Sequence, residues 1–151
     1  MSTRGYRTDP NRGRCPPDSR GGLGSPVREN DISSALGRAF REVMPGAVVY
    51  KHADQFTAGI PDLSVTANGK TAWIEVKYDR PRSKSRVSAA QRIAIAALPA
   101  FLVTYHENAA GDRWIAAQIP GELGWRRVER FNHGWVVDLV RRYALRGEEE
   151  R

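Results

Sequence analysis

The fold is decided by Gly59-Ile60-Pro61-Asp62-Leu63-Ser64-Val65 and, a little further on, Trp73-Ile74-Glu75-Val76-Lys77. Each stretch is a short apolar run of strand type. Asn68-Gly69 lies between them, and this dipeptide is a strong signal for a tight turn between antiparallel strands. The sequence therefore predicts a hairpin built from these two stretches.

The hairpin is expected to gather charged side chains. Because side chains alternate along a strand, Ile74 and Val76 are predicted on one face, and Glu75 and Lys77 on the other. The turn should bring Asp62 back beside Glu75. Two anions held that close repel each other unless a cation lies between them. Mg²⁺ is the natural occupant, because it prefers oxygen ligands and is often held by one or two carboxylates plus waters and phosphate.

Periodicity outlines the remaining elements. Apolar residues at helical spacing predict a first helix over 27–43 and a closing helix over 134–145. Ser88, with Gln91 three residues later, is typical of a capping box, and the helix it opens should run to about Leu98. Strands are predicted at 47–50, 60–65, 72–76, 101–105 and 114–119, with a turn at 108–112 joining the last two. This order of helices and strands indicates an α/β fold.

Composition sets limits on the class of protein. The 151 residues suit one domain, which we place at 27–146, after a disordered basic arm (1–26) and before an acidic disordered tail (147–151). The net charge of +7 is compatible with a polyanionic partner, and the arm either binds phosphate or only aids solubility. Cys15 is the only cysteine, which excludes an internal disulfide and a cysteine-rich zinc site. Without an apolar run of membrane-spanning length or a signal peptide, no membrane partner and a cytoplasmic location are expected.

The hairpin motif resembles the PD-(D/E)XK nuclease superfamily, and most closely its virus-type replication-repair nuclease (VRR-NUC) branch. Pro61-Asp62 and Glu75-Val76-Lys77 carry the resemblance, and Ser88-Ala89-Ala90-Gln91 is similar to a Ser-x-x-Gln segment common in that branch. The resemblance runs from about Glu29 to about Tyr105. It implies a restriction-endonuclease-like core, in which helices flank a central mixed sheet.

The resemblance also implies roles for individual residues. It assigns a Mg²⁺ ion, with Mn²⁺ as an alternative, to four ligands: Glu29, Asp62, Glu75 and the Val76 carbonyl. Lys77 would position the attacking water and offset developing negative charge, and Gln91 would orient Lys77 or touch a phosphate. For Glu29 an alternative is helix-dipole stabilisation, since acids favour the first turn of a helix, and Asp31 competes for its role.

Several basic residues are candidates for DNA contacts: Lys51, His52, Arg80, Arg82, Lys84 and Arg86. The last four would form a basic loop leaving the second strand of the hairpin, and a solvated loop is the alternative reading. The four tryptophans, Trp73, Trp114, Trp125 and Trp135, could stack on bases, but packing residues are the simpler interpretation for most of them.

The expected function is a Mg²⁺-dependent DNA endonuclease acting on branched DNA, such as a Holliday junction, flap or fork, in replication, recombination or repair. The resembled enzymes are frequent in bacteriophages, and paired incision of a junction would require a homodimer. An exonuclease that processes DNA ends is an alternative. A nucleic-acid-binding module with a decayed site is an alternative of another class. Taken alone, Glu-x-Lys on a strand is typical of a solvated ion pair.

Overall fold

The computed structural model describes residues 27–52 and 59–147, which form a six-stranded mixed sheet flanked by three helices. The elements follow one another as α1 (Glu29–Val43), β1 (Val48–Lys51), β2 (Leu63–Ala67), β3 (Lys70–Asp79), α2 (Ala89–Ala97), β4 (Phe101–Glu107), β5 (Arg113–Gln118), β6 (Arg126–Val128) and α3 (His133–Val140). The α/β fold predicted from the sequence is therefore confirmed.

The strands lie in the sheet in the order in which they occur along the chain. Only β3 and β4 are parallel, and α2 provides the crossover that a parallel pair requires. β2 and β3 form the predicted hairpin. Asn68 and Gly69 at its turn have φ values of 52° and 69°, and positive φ at both central positions is the geometry that favours Asn-Gly.

The two faces of the sheet have different neighbours. One face carries Leu63 and Ile74, which are paired across the hairpin and fully buried. α1 packs against this face, since the Cα of Gly37 lies so close to it that an added Cβ would be 3.6 Å from a Leu63 methyl. α1 also packs against α3, and together they close the main core. The opposite face carries Glu75, Lys77 and their in-register neighbours, so the polar groups of interest lie away from the main core.

Several boundaries differ from the sequence predictions. β2 begins at Leu63 and not near Ile60, so Asp62 precedes the strand. β6 was not predicted, because its sequence Arg126-Arg127-Val128 has no apolar alternation and pairs only through β5. The closing helix is α-helical only to Val140 and continues as a π-helical turn, Arg141–Leu145.

The predicted basic arm at 1–26 falls outside the described residues, and so does the predicted acidic tail at 147–151 apart from Gly147. Within the part of the chain that the structure describes, no helix is both long enough and apolar enough to cross a membrane.

Candidate active site

The hairpin of β2 and β3 opens into a gap where its ladder ends. Pairing with β2 stops at Ile74, but β3 continues to its end at residue 79. The N–H groups of β3 that face the gap would be costly to leave without partners. Two carboxylates accept from them: Asp62 Oδ2 from the Val76 N–H at 2.8 Å, and Glu29 Oε2 from the Tyr78 N–H at 3.1 Å. The backbone of β3 therefore holds both acids at the gap.

Glu75 and Lys77 lie beside these two acids and are almost fully buried, with 1% and 6% of their surfaces exposed. Lys77 Nζ is 2.7 Å from Glu75 Oε1 and 3.5 Å from Glu29 Oε1. The predicted juxtaposition of Asp62, Glu75 and Lys77 is confirmed, and Glu29 joins them from the start of α1. Asp31 does not, because it accepts a hydrogen bond from the Arg28 N–H and caps the helix.

Gln91 reaches the same cluster from the first turn of α2. Its side-chain amide donates to Glu75 Oε1, and its side-chain oxygen accepts from the Ser88 N–H at 3.0 Å. The predicted capping box is confirmed. The resemblance led us to expect Gln91 beside Lys77 or a phosphate, but the structure places it on Glu75. Gln91 and Lys77 thus share one carboxylate oxygen, so Gln91 acts on the lysine only through Glu75.

The three ionisable groups at the centre of the site have shifted pKa values. Burial raises the pKa of Asp62, and the nearby charge of Glu29 raises it too, although the Val76 N–H and Lys77 oppose the shift. Burial likewise raises the pKa of Glu75 against the hydrogen bond from Lys77. For Lys77, burial alone would lower the pKa, but the hydrogen bond to Glu75 and the surrounding carboxylates raise it. The lysine therefore stays protonated, and its one ammonium faces three carboxyl groups.

Ser85 was missed by the sequence analysis. Its hydroxyl donates to Glu29 Oε2 at 2.6 Å, and its backbone N–H donates to Asp79 Oδ1 at 2.8 Å. These bonds fasten the basic loop to both α1 and β3. A serine within a loop rich in Lys and Arg has no sequence signal for such a role, because the contact to Glu29 spans 56 positions.

Two basic candidates near β1 lie on opposite faces of the sheet. Lys51 points to α1, where its Nζ donates to the Asn30 backbone oxygen at 2.8 Å, and it is thus occupied within the fold. His52 lies on the face of the site. Its Nε2 is 2.8 Å from Ser64 Oγ, and its ring stacks on Trp73 with centroids 5.4 Å apart. Both residues have structural partners, and their DNA contacts stay predictions.

The basic loop after β3 has both exposed and packed cations, and its contact with DNA stays a prediction. Arg82, Lys84 and Arg86 are exposed. Arg80 is packed instead, with its guanidinium 5.2 Å from the centre of the Tyr78 ring and its Nη1 donating to the Val27 carbonyl at 3.1 Å. Three of the four loop cations are therefore accessible to a ligand.

The oxygen atoms in the gap suit a hard divalent cation. Within residues 27–52 and 59–147, no three His, Cys, Asp or Glu side chains converge as a ready-made metal cluster. One or two carboxylates with waters and a substrate phosphate are the usual set for Mg²⁺, and Asp62 with Glu75 meets that requirement. The carbonyl of Val76 belongs to the residue whose N–H already faces Asp62, and in an extended strand both groups point to the same side. The donor set therefore fits Mg²⁺ or Mn²⁺ in its chemistry.

Protein-family models and curated proteins give no relative from which a role could be transferred. No protein-family model matches the sequence, and no curated protein matches it significantly. The chemistry of the site must therefore be argued from its own residues.

Proposed function

We propose that this protein is a metal-dependent DNA endonuclease of the PD-(D/E)XK type, with its active site at the gap between β2 and β3. One observation carries the proposal: three acidic side chains, Glu29, Asp62 and Glu75, surround the single buried ammonium of Lys77. Glu75 is buried and Asp62 and Glu29 are half-buried, so crowding three acids around one ammonium is costly, and an ordinary structural ion pair would not need the surplus. Such a surplus is typical of a site whose charge is completed by a ligand.

In this proposal Asp62 and Glu75 hold the metal, with the Val76 carbonyl and Glu29 as further ligands. When bound, the metal neutralises charge on the phosphoryl oxygens and lowers the pKa of a bound water. Raised carboxyl pKa values are the expected property of a site prepared for a cation, because a cation would reverse them. The hydrogen bonds from β3 fix Asp62 and Glu29 before any ligand arrives, which lowers the cost of assembling the site.

Lys77 has a separate task. Its raised pKa keeps it protonated, so it can donate hydrogen bonds to the attacking water or to a phosphoryl oxygen and offset negative charge as the phosphorus is attacked. Glu75, held by Gln91, fixes the direction of the ammonium. Gln91 is a positioning residue, since it reaches Lys77 only through the shared oxygen of Glu75.

DNA is the substrate that the charge pattern favours. The net charge is +7. Three exposed cations lie in the loop that follows β3, a few residues after Lys77: Arg82, Lys84 and Arg86. Cations beside a phosphodiesterase site give affinity for a sugar-phosphate backbone without reading its sequence. Preference for branched DNA, and the homodimer that paired incision of a junction needs, rest on the family resemblance.

A cleavage panel tests the proposal. The wild type is incubated with end-labelled four-way junction, flap, fork, single-stranded and linear duplex DNA, each with Mg²⁺, Mn²⁺ or EDTA. Glu75→Gln keeps the shape of the site but removes a metal-binding charge, whereas Glu42→Gln makes the same change at an exposed residue near the end of α1. Metal-dependent cutting retained in Glu42→Gln and lost in Glu75→Gln is the expected result. Cutting that persists in EDTA or in Glu75→Gln would refute the assignment, and binding without cutting under every condition would leave a DNA-binding module.

A further inference from the structure

The face of the sheet that carries the candidate active site continues beyond it. Lys77 is in register with Thr104 of β4, which pairs with Ala116 of β5, which pairs with Arg127 of β6. Because in-register neighbours point to the same side, all four side chains lie on one face. With strands about 4.8 Å apart, Arg127 lies about 14 Å across the sheet from Lys77.

A second row runs parallel to the first. Asp79 is in register with His106, and His106 with Trp114. The rings of His106 and Trp114 are nearly parallel, 10° apart, with centroids separated by 5.0 Å. From the other neighbouring strand, the Arg127 guanidinium lies 4.7 Å from the Trp114 ring. We name His106, Trp114 and Arg127 the His-Trp-Arg stack.

The stack does not serve the main core. α1 and α3 cover the opposite face, and Arg127 has about half of its side chain exposed (52%). Trp114 is flanked by His106 on the β4 side and Arg127 on the β6 side, so its ring is not open to a base. What the stack offers a ligand is a guanidinium held in a fixed direction, and such preorganisation favours phosphate binding.

Two cations, Arg127 and Lys84, and two carboxylates, Asp79 and Glu129, belong to the stack and its surroundings. Burial lowers the pKa of the His106 imidazole, and the nearby Asp79 carboxylate opposes this shift. Lys84, in the loop after β3, and Arg127 are near enough to lower the pKa further. The two carboxylates already contact members of the stack: Asp79 lies 3.5 Å from His106, and Glu129 pairs with Arg127. The Arg127–Glu129 pair is exposed on both sides, and exposed pairs are weak enough for a phosphate to displace.

We propose that the His-Trp-Arg stack, together with Lys84, binds the phosphate backbone of the DNA that extends from the cleavage site. The inference rests on the nuclease function proposed above and adds a binding surface to it. At about 3.4 Å of rise per nucleotide, a reach of about 14 Å places this contact roughly four nucleotides from the scissile phosphate. The partner is the sugar-phosphate backbone and not a base, because Trp114 is already flanked by two side chains.

The neighbouring Arg126 provides a matched control. Like Arg127, it belongs to β6, pairs with a glutamate (Glu122, 3.0 Å) and lies over an aromatic ring (Tyr143, 6.0 Å). Being adjacent in the strand, it points to the opposite face. Arg126→Ala and Arg127→Ala therefore remove the same charge from the same strand and differ in the face they alter.

The test measures binding without cleavage. Fluorescence anisotropy of a labelled duplex and a labelled four-way junction is recorded in EDTA over a range of salt concentrations. One phosphate contact contributes about 0.9 to the slope of log affinity against log salt, which amounts to about eightfold at about 0.1 M salt. We expect Arg127→Ala to bind DNA about eightfold more weakly, with a salt slope shallower by about 0.9. Arg126→Ala should keep the affinity and the slope of the wild type. Trp114→Leu should weaken binding with the slope unchanged, because it removes the platform but no charge.

Equal losses of affinity in Arg126→Ala and Arg127→Ala would refute the proposed binding surface, since only net charge would then matter. An affinity of Arg127→Ala equal to that of the wild type would also refute it. An unchanged affinity in Trp114→Leu would overturn the role of the stack. The two proposals fail separately. A wild type that cuts DNA while Arg127→Ala binds normally refutes the surface alone. A wild type that never cuts, but whose binding falls selectively in Arg127→Ala, refutes the nuclease alone.

Discussion

Replacement of Lys77 by methionine tests whether the central ion pair is a buried functional pair or a solvated strand pair. Methionine keeps the apolar stem but removes the ammonium that lies 2.7 Å from Glu75 Oε1. Among the residues that the structure describes, Glu75, with 1% of its surface exposed, would keep only the hydrogen bond from Gln91. Breaking a buried pair by removing one partner costs about 3–5 kcal/mol, because the remaining charge is uncompensated. In a domain of this size, that corresponds to a fall in melting temperature of roughly 10–20 °C.

The pH dependence has a definite sign. Without Lys77 the pKa of Glu75 is raised further, because the lysine is the group that lowers it. A carboxyl whose pKa is higher in the folded state contributes stability that is present at low pH and lost as the pH rises through the folded-state pKa. The deficit of Lys77→Met should therefore be largest in mildly alkaline buffer and shrink as the pH falls. The double variant Lys77→Met/Glu75→Gln should recover most of the lost stability, because neither charge remains.

The assay is urea unfolding followed by far-UV circular dichroism, in metal-free buffer at several pH values. Lys84→Met is the control, since an exposed lysine should cost less than about 0.5 kcal/mol. If Lys77→Met also lost less than about 0.5 kcal/mol of unfolding free energy, Lys77 would be a surface strand lysine, and the buried ion pair with Glu75 would be refuted.

Three further predictions address the surroundings of the pair. Without metal, Asp62→Asn should be more stable than the wild type at neutral pH and equal to it in acid, because burial raises the pKa of the Asp62 carboxyl. Mg²⁺ should raise the melting temperature of the wild type only, and a wild-type melting curve unaffected by Mg²⁺ would contradict this. Ser85→Ala should lower the cleavage rate by about 10–100-fold through misplacement of Glu29 with little change in unfolding free energy, and an unchanged rate would exclude the positioning role. Gly59→Ala should lower the free energy of unfolding by about 1–3 kcal/mol in urea, since φ is +95° and the new Cβ would lie 2.8 Å from the Ala90 carbonyl oxygen. A stability equal to that of the wild type would refute the close approach of Gly59 to Ala90.

The sequence predicted the parts of the fold that depend on local patterns. The Asn68-Gly69 turn and the alternation around Glu75 and Lys77 needed only the period of a strand and the steric preference for positive φ. Ser88 and Gln91 were predicted as a capping box from their spacing, and the structure has both hydrogen bonds of that box.

The remaining features depend on contacts between distant residues. β6 has no strand pattern of its own and exists because β5 offers an open edge. Asp62 precedes its strand because β2 and β3 separate beyond Ile74, and no local pattern marks where a ladder ends. The partners of Gln91 and Ser85 follow from how α2 and the basic loop meet β3, which spacing along the chain does not define.

The most direct test of the central claim is nicking of supercoiled plasmid by the wild type, Lys77→Ala and Lys70→Ala, each with Mg²⁺ and with EDTA. Lys70 belongs to the same strand as Lys77, but its Nζ donates to the Arg146 carbonyl at 2.7 Å, at the opposite end of β3. We expect Mg²⁺-dependent nicking by the wild type and Lys70→Ala, with a rate in Lys77→Ala lower by about 10²–10⁴-fold. Equal nicking by Lys77→Ala and Lys70→Ala would contradict the catalytic role of Lys77, and a wild type that cuts neither the plasmid nor the branched DNAs of the cleavage panel would contradict the nuclease.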